Sequence, residues 1–230
     1  MKNTFKFLLL GLFSLTFISA SLSNQGGKSS LAVVTKVINS VAKKQLEKDW
    51  IKALKGDAIF KGEQLRTGLK SVAIIKFTDK SMIRLLENSE LIMLGEKQKY
   101  NVKIDQGAIG FNITKSQNEE YTFSSPTSVA SIIGTRGAFF IQENEDILIL
   151  TDGEVNLFNK NSNQEEPVGA GYIGVSRIDG TIEVRKATSD ELDSLEDTLQ
   201  RGDIQKQNEL KFEFKDPEGN KRELKIQYKE

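Results

Sequence analysis

The chain has 230 residues, with 32 Lys and Arg against 32 Asp and Glu, so its formal charge is zero and no broad basic field for nucleic acid is expected. With no His and no Cys, it excludes Ser-His-Asp and Cys-His catalysis, imidazole or thiolate zinc sites, and disulfides. The length allows one good core, and 38% apolar residues with only 3 Pro describe a globular chain rather than a linker-rich one.

Lys2 and Lys6 open the chain, and residues 7–18 form an uncharged apolar run of signal h-region length. A membrane span needs about 20 such residues. Ser19-Ala20-Ser21 offers small residues for cleavage, and no Cys follows to take a lipid. The expectation is a signal peptide over 1–20, a polar spacer over 21–30, and a periplasmic or secreted product without a stable membrane span. An uncleaved N-terminal anchor is the alternative.

From Leu31 the sequence turns β-like, with Val33, Val34, Val37 and Ile38 among its β-branched residues. Residues 42–48 are charged and fit a short helix or a loop. Trp50, the sole tryptophan, is expected to plug the core where the chain enters the sheet. Short strands with frequent turn signals follow from Gly56 to Ile113. Ala73, Ile75 and Phe77 share one face, and Ile83, Leu85, Leu91, Met93, Val102, Ile104, Ile109, Phe111 and Ile113 continue it. A period of two predicts that each strand buries one face and wets the other.

Residues 123–142, FSSPTSVASIIGTRGAFFIQ, organise the rest. Pro126 holds the entry extended, and two apolar runs flank Gly134-Thr135-Arg136-Gly137. The reading is strand, corner, strand, with Gly134 and Gly137 supplying the bend. Arg136 carries a fork of five donors that suits corner carbonyls or a buried carboxylate, with a partner contact as the alternative. A weak echo links Gly56-Asp57, Gly107 and Gly153, each followed by apolar residues two and four positions on. Asp152-Gly153 between two apolar runs predicts a hairpin.

The tail differs from the β region, which spans 31–186. Thr188-Ser189-Asp190-Glu191 is a capping box ahead of Leu192, Leu195 and Leu199, so residues 189–200 should form an amphipathic helix. Arg201-Gly202-Asp203 reads as its stop. Leu210, Phe212 and Phe214, then Leu224, Ile226 and Tyr228, predict a hairpin that closes a 187–230 tail.

Taken together, residues 54–140 resemble the FecR domain family. The likeness rests on Leu54-Lys55-Gly56-Asp57-Ala58-Ile59, Leu65-Arg66-Thr67-Gly68, residues 71–77 and 79–85, Asn88-Ser89-Glu90-Leu91 and Asp105-Gln106-Gly107-Ala108-Ile109. It closes with Ser125-Pro126-Thr127 and residues 133–140, where Arg136-Gly137-Ala138 stands in place of the family's usual Arg-Gly-Thr. The resemblance implies an all-β, solenoid- or sandwich-like domain, here with a short C-terminal helix and β-hairpin. It also implies a place in extracytoplasmic signalling of the iron-uptake type. About six residues precede the h-region, so no cytoplasmic sigma-factor-binding segment is expected.

The function expected is therefore an exported, non-enzymatic scaffold or interaction module of the cell envelope, without cofactor, whose partner is an envelope protein or a glycan. A membrane-linked signalling regulator is the alternative. A carboxylate enzyme such as a glycosidase is a third, but Asp57, Asp79, Asp105, Asp152 and Asp179 each sit beside a turn, a common structural use of aspartate. Glu143, Glu145 and Asp146 could hold calcium, although a solvated acidic loop accounts for them as well. Intact-mass measurement of the exported protein should show the loss of about twenty residues. A membrane-bound species that keeps residues 7–18 would restore the anchor.

Overall fold

A computed structural model describes residues 29–200, 208–215 and 221–228 of the chain. The expected signal peptide, over residues 1–20, and the expected helix stop, Arg201-Gly202-Asp203, lie outside the described residues. The first half of the chain supplies β1 Ala32–Ile38, β2 Val41–Lys44, β3 Ile51–Lys52, β4 Ala58–Ile59, β5 Gln64–Thr67, β6 Val72–Phe77, β7 Met82–Leu85, β8 Glu90–Met93 and β9 Lys99–Asn112. The second half supplies β10 Glu120–Ser124, β11 Ser128–Ile132, β12 Arg136–Ile141, β13 Glu145–Asp152, β14 Glu154–Asn159, β15 Glu165–Gly169, β16 Tyr172–Arg177 and β17 Ile182–Lys186. Helix α1, Ser189–Gln200, and a hairpin of β18 Asn208–Lys215 with β19 Lys221–Tyr228 complete it.

Two facing sheets share one long strand. Sheet A runs β17-β16-β13-β12-β9-β7-β6-β1-β4. Sheet B runs β15-β14-β11-β10-β9-β8-β5-β2-β3. Neighbouring strands are antiparallel except β9 and β10. The first part of β9 lies in sheet B, and from Gly107 onward it lies in sheet A. The passage uses a bulge, Asp105 being the extra residue opposite Glu90 and Leu91, and then Gly107 at φ +87°. A Cβ on Gly107 would stand 2.2 Å from Ser89 Oγ, which accepts the next N–H, from Ala108, at 2.8 Å.

After β9 the chain lays hairpins alternately in the two sheets: β10–β11 in B, β12–β13 in A, β14–β15 in B, β16–β17 in A. Solenoid winding thus produces a sandwich. The expected corner is the step from β11 to β12, with Ile133 turned outward at 57% exposure. Asp152-Gly153 does not close a hairpin. β13 has β12 on one edge and β16 on the other, so Gly153, at φ +82°, sends the chain across to β14 in sheet B. Residues 42–48 form β2 and a turn rather than a helix.

The core between the sheets contains every residue expected on the inward face, from Ala73, Ile75 and Phe77 through Ile113, each at most 3% exposed. The prediction that the opposite face is wet fails for the middle of sheet A. Ile74, Arg84, Ala138, Ile149 and Ile173 lie at 5% exposure or less on its outer side. They form one cross-strand row in which Gly110 sits between Arg84 and Ala138. Trp50 does not plug the core: it is half-buried, with the Arg66 guanidinium 4.1 Å from its ring centre. The sheet edges discourage further pairing. β3 and β4 have two residues each, and β15 carries Glu165, Glu166 and Pro167.

Gly137 makes the tightness of the corner measurable. A Cβ there would lie 2.3 Å from the Ile149 carbonyl oxygen and 2.7 Å from Leu150 Cδ2, inside the sheet rather than at its margin. Gly137→Val should destabilise the fold by about 3 kcal/mol or more in urea unfolding, through overpacking against backbone that cannot retreat. Parental stability would mean that the corner is loose.

Candidate interaction surface

α1 begins where β17 ends, and its cap is the one expected. The Thr188 N–H donates to Glu191 Oε2 at 2.8 Å, and the Glu191 N–H donates to Thr188 Oγ1 at 3.3 Å. Arg185 forks onto the same carboxylate, at 3.0 and 2.6 Å, and holds the Glu191 carboxyl down at about 2 together with the Thr188 N–H. The helix then lies across the outer face of sheet A. Twelve residues make about 18 Å of helix, close to the width of the four strands β16, β13, β12 and β9 at about 4.8 Å spacing. Leu195 and Leu199 are buried against Ala138, Ile149 and Ile173, with Leu192 at the margin. Gly110 and Ala138 make this possible, because Leu199 Cδ2 comes within 3.0 Å of where a Gly110 Cβ would stand.

Arg136 fastens the helix to the corner. Its Nη1 and Nη2 donate to the two oxygens of Glu196, the second at 2.7 Å, and its carbonyl accepts from Thr151 Oγ1 at 3.2 Å. The Glu196 carboxylate raises the Arg136 guanidinium further above its ordinary value, and Arg136 lowers Glu196 in return. Both side chains are about a third exposed, at 31% and 37%, so a double-mutant cycle on the pair should return about 0.5–1 kcal/mol. A coupling near zero would leave the helix held by its leucines alone.

Beside the helix the same face stays open. A groove of about 410 Å³ has Phe140, Ile147, Ile149 and Ile173 as its floor and Asp190, Glu191 and Ser194 along its wall. α1 carries five acidic residues (Asp190, Glu191, Asp193, Glu196 and Asp197) and no basic one.

The other residues singled out by the sequence lie elsewhere. Gly56 takes φ +95° in the turn before β4, and Asp57 beside it accepts from the Leu54 N–H at 2.9 Å and pairs with Lys43 at 3.1 Å. Gly134, at φ +61°, packs on Lys115, and Gly107 and Gly137 hold the close approaches described above. Gly56, Gly107, Gly134 and Gly137 therefore serve four separate backbone points, and only Arg136 reaches the groove-bearing face. The groove had no local signature. Its floor comes from three strands and its wall from a helix, all paired at long range.

Glu143, Glu145 and Asp146 do not converge as a calcium site. Glu145 faces Arg177 at 3.4 Å, while Asp146 is buried at 1% exposure and accepts the Ser125 hydroxyl. Among the described residues no cluster of three acidic groups could hold a metal ion. Ser125, Asp146 and Lys160 bring a hydroxyl, a carboxylate and an amine together, but Ser125 has no exposure and its Oγ already accepts the Thr127 and Ser128 N–H groups. Lys160 donates to the Ser125 carbonyl. The cluster fastens the Ser125-Pro126-Thr127 turn and offers a substrate no access to the hydroxyl.

Residues 63–156 match the family model described as FecR protein. Over these residues the chain is similar to the FecR family. The match spans β5 through β13 in full, including the corner and Gly137. Two crystal structures of a candidate anti-sigma factor from Parabacteroides distasonis share the fold of this chain. One aligns at TM-score 0.50 and 10% identity over 65% of this chain and 66% of that one. The other aligns at TM-score 0.51 and 10% identity over 68% and 70%. The chain thus spans about two thirds of the first of these structures. No curated protein matches the chain. Among the described residues no helix is long and apolar enough to cross a membrane.

Burial raises the Asp146 carboxyl above its ordinary 3.8, with the Ser125 hydroxyl pulling the other way. The folded state then holds the proton more tightly than the unfolded state, so stability falls as pH rises from about 4 through the folded value. Asp146→Asn keeps an acceptor for Ser125 and removes this slope. Urea midpoints of the variant should gain on those of the parent as pH rises through that window. A constant difference would mean that Asp146 is already ionised there.

Proposed function

We propose that this FecR-domain protein is an exported, non-enzymatic interaction module that binds a protein of the cell envelope through the groove beside α1. The observation that carries the reading is the pairing of an apolar floor with an acidic wall. Phe140 and Ile147 are only partly buried, and the helix above them has acidic charge without a single cation of its own. The complementary ligand is a segment with apolar side chains flanked by Lys or Arg, with the apolar contacts supplying affinity and the charge supplying orientation. The sealed Ser125 cluster, which offers no reachable nucleophile, also favours binding over catalysis.

The second reading is a regulator of extracytoplasmic signalling, favoured by the candidate anti-sigma factors that share the fold. It requires a link to the membrane, which an uncleaved N-terminus would supply.

A photoreactive side chain at Ser194 should crosslink one envelope protein in intact cells, and the same group at Arg66, on the outside of sheet B, should not. Phe140→Asp should abolish the Ser194 adduct while leaving the fold intact by circular dichroism. Equal adducts from both positions, or none, would remove the groove from the account. A change in sigma-dependent transcripts on deletion, with the protein held in the membrane, would favour the regulator.

A further inference from the structure

The buried outer face of sheet A extends beyond the reach of α1. Val72 and Ile74 on β6, Arg84 on β7 and Leu86 just after it are 7%, 5%, 3% and 4% exposed. They alternate with Ala73, Ile75, Ile83 and Leu85, which fill the core, so they belong to the opposite side. They belong neither to the core between the sheets nor to the residues packed under α1. α1 ends over Gly110 of β9, whose cross-strand neighbour is Arg84. Something therefore covers β6 and β7 where the helix stops.

We infer that the C-terminal hairpin, β18–β19, lies on this part of sheet A and continues the layer that α1 begins. Seven residues, 201–207, join Gln200 to Asn208 and can reach about 25 Å. β6 is two strands from β9, or about 10 Å. By register Leu210 pairs with Ile226 and Phe212 with Leu224, so one face of the hairpin collects apolar positions and the other collects Glu209, Lys211, Glu213, Glu223 and Lys225. A two-stranded hairpin is marginal alone in water, and an apolar strip of matching width supplies what it lacks. Lys36 and Arg84, the two cations in the row with Ile74, are both engaged by partners. The inference is independent of what binds the groove, which lies at the other end of the same face.

The chain has no Cys, so single cysteines report cleanly on cover. In the mature full-length protein, Ile74→Cys should react with a thiol reagent about tenfold or more slower than Lys76→Cys, which is exposed. Adding Phe212→Asp should remove that protection while Ile149→Cys, under α1, stays protected. Ile74→Cys reacting as fast as Lys76→Cys, or staying protected with Phe212→Asp, would overturn the inference, as would protection lost on dilution, which points to a second copy. Should Phe212→Asp expose Ile149→Cys as well, disulfide closure decides. Ile74→Cys combined with Leu210→Cys, Phe212→Cys or Phe214→Cys should close in the monomer for at least one pair, and closure for none would refute the docking.

Discussion

The fold depends on how the chain crosses from one sheet to the other. At the crossings through Gly107, Gly134 and Gly153 the backbone passes so close to its neighbour that a side chain does not fit. Thr135 is 1% exposed, and its methyl would lie 2.3 Å from a Cβ on Gly153. The corner that enters sheet A after β11 is therefore stacked on the corner that leaves it after β13. Gly171 continues the stack by donating its N–H to the Leu150 carbonyl at 2.8 Å. These contacts set the register of β12, β13 and β16, and that register decides which residues line the outer face.

The outer face then follows from cross-strand geometry. Gly110 and Ala138 are neighbours in the row that also holds Ile149 and Ile173, so a trough of small residues faces a ridge of isoleucines. A helix can settle only where its leucines find that trough, and Arg136, one residue before the glycine of the corner, reaches up to Glu196. The corner thus positions the helix, and the helix forms one wall of the groove. Function on this account sits on a sheet face, not at the strand ends where the loops gather.

Much of this was legible in the sequence because it is local. The period of two placed Ala73, Ile75, Phe77, Ile83 and Leu85 in the core, and the capping box from Thr188 to Glu191 placed α1 at Ser189–Gln200. The order of short FecR-like segments gave the all-β architecture. What escaped was non-local. Asp152-Gly153 has the chemistry of a hairpin turn, and a positive φ serves a hairpin or a corner equally well; only the occupied edges of β13 decide between them. Burial of Ile149 and Ile173 on the outer side depends on a helix supplied by distant sequence. The size of Trp50 favours burial, yet the Arg66 guanidinium gives its ring a partner at the surface.

Native-state hydrogen exchange at the corners tests the central claim most directly. The Ile113 N–H donates to the Thr135 carbonyl at 2.9 Å, and the Gly171 N–H to Leu150. If the stacked corners hold the two sheets in register, both amides should exchange only on global unfolding, within about tenfold of the Leu148 amide in β13. Exchange of Ile113 and Gly171 by local opening, with Leu148 still protected, would show that the sheets keep their register without the corners.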